Sequence, residues 1–127
     1  VNDRPIRVIL DTSAIVAFTR ASIDVGEVIA EVADEDCHFG VPVMCLAEAS
    51  RAVADTARLD LLVNHPAAAV LTVDPVSWRA LAFVYDTVGR LDAASALLAA
   101  VDNGCNVLTG QPGLYAGLAG GGPIIPF

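Results

Sequence analysis

Four short apolar runs rich in β-branched residues, IRVILD, HFGVPV, AAVLTVD and CNVLTG, recur along the chain with helical patterns between them. Strands joined through helices pair in parallel by crossovers, and a parallel sheet must be covered on both faces. The alternation therefore predicts an α/β fold, a three-layer α/β/α sandwich around a mainly parallel central sheet. With 127 residues there is enough chain for one domain with a real core, so residues 1–127 are expected to form a single unit. A composition of 55% hydrophobic and 17% charged residues suits that and excludes a disordered or fibrous chain.

The elements follow from local signals. IRVILD is the first strand and SAIVAFTRAS a short helical segment. VGEVIAEVADED carries an apolar stripe at Val25, Val28, Ile29 and Val32, which is helical spacing. In HFGVPV, Gly40 and Pro42 predict a short, irregular second strand. MCLAEASRAVADTARLDLLVNH reads as one long helix stopping at Asn64, His65 and Pro66. After the third strand, AAVLTVD, Asp74 and Pro75 open the helix PVSWRALAFVYDTVG, which Gly89 closes. The helix DAASALLAAVDNG ends at Asn103 and Gly104 in a left-handed cap. Beyond CNVLTG, the loop AGLAGGGP leads to a last short strand, PIIPF.

Charge and cysteine usage narrow the function. The net charge is −8, from 15 acids against 7 bases, and every base is an arginine. Absence of lysine removes lysine catalysis and the phosphate-cradling P-loop. It also removes a phosphoacceptor receiver domain, which carries an aspartate at a strand end but needs a nearby lysine. The acidic balance opposes nonspecific grip on nucleic acid and suits a basic partner or a site that gathers divalent cations. Cys37, Cys45 and Cys105 form no even set and no CxxC, so they read as reduced core residues of a cytoplasmic protein. Adjacent Cys37 and His38 lack zinc-ligand spacing. No apolar run reaches the roughly 18 residues of a membrane span, and the polar start VNDRPIR is not a signal peptide.

Several acids are candidates for a site. Asp11 ends the first strand, and Glu48 lies in the early turns of the helix after the second. Strand ends and the starts of following helices share one edge of a parallel sheet, where ligands gather, so these two can converge. Asp92 starts a helix that leads into a strand, and periodicity does not place it at that edge. Local roles stay open to all three: Asp11 helping to start a helix with Thr12 or Ser13, Glu48 as a solvated helix residue, Asp92 as an N-cap. Asp74 reads as a cap, Asp102 as solvent-facing, and Asp34, Glu35 and Asp36 as the coat of a helix end. Three carboxylates in one cleft would repel one another. A hard Mg²⁺ or Mn²⁺ ion relieves that, and a water it holds can attack a phosphodiester. No Ser-His-Asp arrangement competes, because both histidines fall outside that edge. Arg51 shares a helix face with Glu48 and can meet the carboxylate or a phosphate.

In their order and spacing these motifs resemble the PIN-domain family, which includes the VapC-type toxins of bacterial toxin–antitoxin pairs. LDTSAIV resembles the first motif, LAEASRAV the second, and LDAASALLAAVDNGCNVLTG the third with its following strand. The resemblance spans nearly the whole chain. It implies a Mg²⁺- or Mn²⁺-dependent ribonuclease with Asp11, Glu48 and Asp92 as catalytic and metal-binding acids. It also implies an RNA substrate, a homodimer and a basic antitoxin partner. Thr12, Ser13 and Thr109 would orient those acids, and Arg51 would hold RNA, with Arg20, Arg58 and Arg90 as further candidates. One departure stands out. Where the family commonly carries a fourth aspartate, this chain reads Thr109-Gly110-Gln111, and Gln111 brings a neutral carbonyl that can orient a water but adds no charge. A PIN-like binding or regulatory module with weak or no nuclease activity is the alternative.

Overall fold

The computed structural model describes residues 4–127; the polar start of the chain, residues 1–3, lies outside them. Five strands form one sheet: β1 (Ile6–Leu10), β2 (His38–Pro42), β3 (Ala68–Leu71), β4 (Asn106–Thr109) and β5 (Ile124–Pro126). All pairings are parallel, in the order β3-β2-β1-β4-β5. Helices α1 (Thr12–Thr19) and α2 (Ile23–Asp34) join β1 to β2, and α3 (Val43–Ala52) and α4 (Ala57–Val63) join β2 to β3. Helices α5 (Trp78–Val88) and α6 (Leu91–Asn103) carry the chain back to β4. The first two crossovers step one way along the sheet and the third returns; α6 lies across β1, β2 and β4, and α3 meets it. This is the expected three-layer sandwich.

The central strand explains the core. In β1, Val8, Ile9 and Leu10 are all buried, as a strand covered on both faces requires. Each such side chain contributes roughly 1.5–3 kcal/mol by leaving water. Helix α6 packs against β1, β2 and β4 with small residues, Ala93, Ala94, Ala96 and Ala100, which bring its axis close to the sheet. The strand order reverses between β1 and β4: the chain leaves β1 toward β2 and leaves β4 toward β5. A crevice opens at such a switch point, at the C-terminal edge of the two strands.

Three local expectations need correction. The long helix from Met44 to His65 is two helices, broken at Val53, whose backbone is extended (φ −109°, ψ 142°). The Asp55 carboxylate accepts from the backbone N–H of Ala57 at 2.9 Å, a local turn that competes with helix continuation. Strand β2 is regular and pairs on both sides. Gly40 is there for packing, since a Cβ would lie 2.6 Å from Cδ1 of Ile9 and 2.8 Å from Cδ1 of Leu71. The irregularity sits instead in the β1–β2 register, between Ile6 and Val8. Strand β3 ends at Leu71, short of Thr72 and Val73.

The charge run behaves as expected. Glu35 and Asp36, beyond the end of α2, pair with Arg7 at 3.2 Å and Arg4 at 3.4 Å, exposed bridges worth at most about 1 kcal/mol each. All three cysteines are free thiols. No described helix is long and apolar enough to cross a membrane.

Candidate functional site

Asp11 follows β1 directly and is the N-cap of α1. Its carboxylate is buried, at 2% exposure, and is surrounded by neutral donors. Oδ1 accepts from the backbone N–H of Ala14 at 3.1 Å and from Ser13 Oγ at 2.6 Å. Oδ2 accepts from the Tyr115 hydroxyl at 2.8 Å. Burial and the Asp11 charge push the Tyr115 phenol far up, which keeps it a donor. Ser13 Oγ also accepts from the N–H of Gly110 at 2.8 Å and lies 3.3 Å from Thr109 Oγ1. With its one proton committed to Asp11, Ser13 receives the Thr109 proton. Thr109 Oγ1 in turn accepts from the N–H of Gln111 at 3.0 Å. These hydroxyls tie the end of β1 to the end of β4.

Asp92 reaches the same place from the other direction. It sits in the first turn of α6, whose N-cap is Arg90, so Asp92 is not itself the cap. Arg90 Nε donates to Oδ1 and Nη2 to Oδ2, both at 3.1 Å, a two-pronged ion pair. Thr12 Oγ1 donates to Oδ2 at 2.6 Å, joining α6 to the start of α1. Burial pushes the Asp92 carboxyl up, but the Arg90 fork and the Thr12 hydroxyl together hold it below the usual carboxylate range. Behind it, Cys45 Sγ and Ser95 Oγ donate to the Asp92 carbonyl at 3.2 and 2.7 Å. Burial pushes the Cys45 thiol up to about 12, so it stays protonated.

Asp11, Thr12, Ser13, Asp92, Gly110 and Gln111 line one cleft of ≈490 Å³ at the β1–β4 switch point. Glu48 does not line it. That side chain is bound to Arg51 at 3.0 Å on α3 and borders an adjoining depression, shared with Arg51, Arg90 and Asp92. The donor types are the hard oxygens that Mg²⁺ or Mn²⁺ prefers. Their arrangement is not an ion site: Arg90 forks Asp92, Asp11 accepts three protein donors, Glu48 turns to Arg51, and Gln111 is neutral. Among the described residues no three metal-ligating side chains stand close enough to hold an ion. As arranged, these residues do not fit a resident divalent cation.

The arginines form a second pattern. Arg20 and Arg90 line the cleft, Arg51 and Arg90 the depression beside α3, and Arg20 and Arg58 a further one toward α4. The three hollows adjoin, the first sharing Arg90 and Asp92 with the second and Arg20 and Ala52 with the third, and four of the seven arginines border the groove they outline. Arg20 and Arg58 have no ion-pair partner among the described residues. Outside the groove, Arg79 stacks on the Trp78 ring at 4.7 Å.

Sequence reasoning placed Asp11 at this edge and missed two partners. Tyr115, 104 positions from Asp11, has no local signal. Arg90 stood only as a candidate for RNA, although its place two residues before Asp92 on a helix start was a readable hint of an ion pair.

No family model and no curated protein matches the chain. Solved structures do. A chain in the crystal structure of VapBC2 from Rickettsia felis bound to a DNA fragment from their promoter superposes with TM-score 0.62 at 11% identity, over 82% of this chain and 87% of that one. PAE2754 from Pyrobaculum aerophilum gives TM-score 0.59 at 18% identity, over 98% and 91%. Identities this low carry the fold alone, and at that level they bear out the resemblance read from the motifs. The chain has a PIN-like fold.

Proposed function

We propose that this chain is a PIN-like domain of the ribonuclease type, which draws an RNA strand along the arginine-bordered groove and cleaves it over Asp11 and Asp92. The observation that carries this reading is the groove itself. On a chain of net charge −8, four arginines border three adjoining hollows, and two buried carboxylates line the first of them. Guanidinium groups suit phosphate oxygens, and the carboxylates lie at the edge where such folds bind ligands. Arg51 and Glu48 flank the strand from α3, while Thr12, Ser13, Thr109 and Gln111 position the acids. The overall acidity keeps binding modest and salt-sensitive. A toxin role, a basic antitoxin-like partner and a homodimer belong to the same reading, and dependence on Mg²⁺ or Mn²⁺ belongs to it only once the Arg90 guanidinium leaves Asp92. The present pairing of the acids does not provide for the ion.

A second reading is an RNA-binding module that does not cut. The Arg90 fork on Asp92 and the neutral Gln111 favour it. The two separate when pure protein and its Asp11→Asn variant are incubated with structured RNA and Mn²⁺, with and without chelator. Cleavage that needs both the ion and Asp11 supports the nuclease. RNA retained but uncut supports the module, and neither binding nor cleavage removes both.

A further inference from the structure

Arg90 is held with little freedom. Only Gly89 and Arg90 separate α5 from α6. Gly89 closes α5 in a left-handed conformation (φ 76°), and Arg90 starts α6 with extended backbone. From that fixed point the guanidinium reaches two residues forward and covers both oxygens of Asp92, one of which Thr12 also binds. The carboxylate is 7% exposed, whereas the arginine side chain is 45% exposed and faces both the cleft and the hollow beside α3. A carboxylate with one guanidinium prong on each oxygen and a hydroxyl on Oδ2 has little left for an incoming ion. Arginine stays charged at any ordinary pH, so no titration in that range releases it.

We propose that Arg90 is the built-in cation of this cleft: its guanidinium and a divalent metal ion exclude one another at Asp92. Arg90 is thus a positioning residue that neutralises the carboxylate from within the chain and keeps the ion out. This concerns the site described above but stands whether or not RNA binds there.

The test contains no RNA. Mn²⁺ is titrated calorimetrically into the wild type, Arg90→Gln, Arg90→Lys and the double variant Arg90→Gln/Asp92→Asn, and each is melted with and without Mn²⁺. Arg90→Gln is expected to bind Mn²⁺ roughly ten- to a hundredfold more tightly than the wild type, because no ion pair has to break first. Mn²⁺ should raise its melting temperature and leave that of the wild type unchanged. Arg90→Lys keeps the charge without the fork and should gain less, and the double variant should lose what Arg90→Gln gained. Equal binding by the wild type and Arg90→Gln overturns the proposal. So does a cooperatively folded Arg90→Gln or Arg90→Lys that gains nothing, or a double variant that still binds.

Discussion

Asp11 and Asp92 lie on one cleft floor but are stabilised by opposite means. Asp11 is surrounded by neutral donors, the Ser13 and Tyr115 hydroxyls and the N–H of Ala14, so its charge is solvated by dipoles and not cancelled. Asp92 is forked by a cation. One half of the floor therefore keeps a negative charge facing the cleft, and the other half is balanced before any ligand arrives. The contrast follows from where each acid sits. Asp11 caps a helix and uses its N–H groups, while Asp92 lies inside the first turn, beside a cap that supplies a guanidinium.

The largest expected effect is on the neutral side. Tyr115 is fully buried, at 0% exposure. Tyr115→Ala should cost roughly 3–5 kcal/mol in denaturant unfolding, through the cavity and the missing donor. Tyr115→Phe removes the hydroxyl alone and should cost about 1–2 kcal/mol. A harmless Tyr115→Phe would show that Asp11 does not depend on the phenol, and the contrast between the two acids would weaken.

The paired side is sharpened by acid. Asp92 titrates below its ordinary value of 3.8 in the folded protein. A depressed carboxyl contributes stability that is complete above its unfolded value and is lost as pH falls through the folded one. The stability advantage of the wild type over Asp92→Asn should therefore be constant near neutrality and shrink below about pH 4, read from melting temperatures across that range. An advantage that persists into strong acid would mean that the Arg90 pairing does not set it.

How much of this was legible in the sequence depends on the distance over which each feature is encoded. The strands and the Gly89 and Gly104 caps are local and appear where expected, apart from the shorter β3; Asp74 is a cap as expected, but of a 3-10 turn, Pro75–Ser77, and α5 itself begins only at Trp78. The break after Ala52 was not legible, because it contains neither glycine nor proline and rests on one Asp55 side-chain bond. Asp11 could be placed because strand ends define an edge. Asp92 could not, because only the packing of α6 across β1 and the Thr12 bond bring it there. Glu48 occupies the expected helix but turns to Arg51, a choice of rotamer and partner that spacing alone leaves open.

The groove is tested most directly by the salt dependence of RNA binding, measured by fluorescence anisotropy for the wild type, the double variant Arg20→Ala/Arg58→Ala, and Arg79→Ala as a control outside the groove. Each phosphate that an arginine neutralises on a single strand adds about 0.7 to the steepness of log affinity against log salt. Removing two such arginines should therefore make the double variant shallower by about 1.4, while Arg79→Ala keeps the wild-type slope. An unchanged slope in the double variant, or an equal change in Arg79→Ala, would contradict the placement of RNA along this edge.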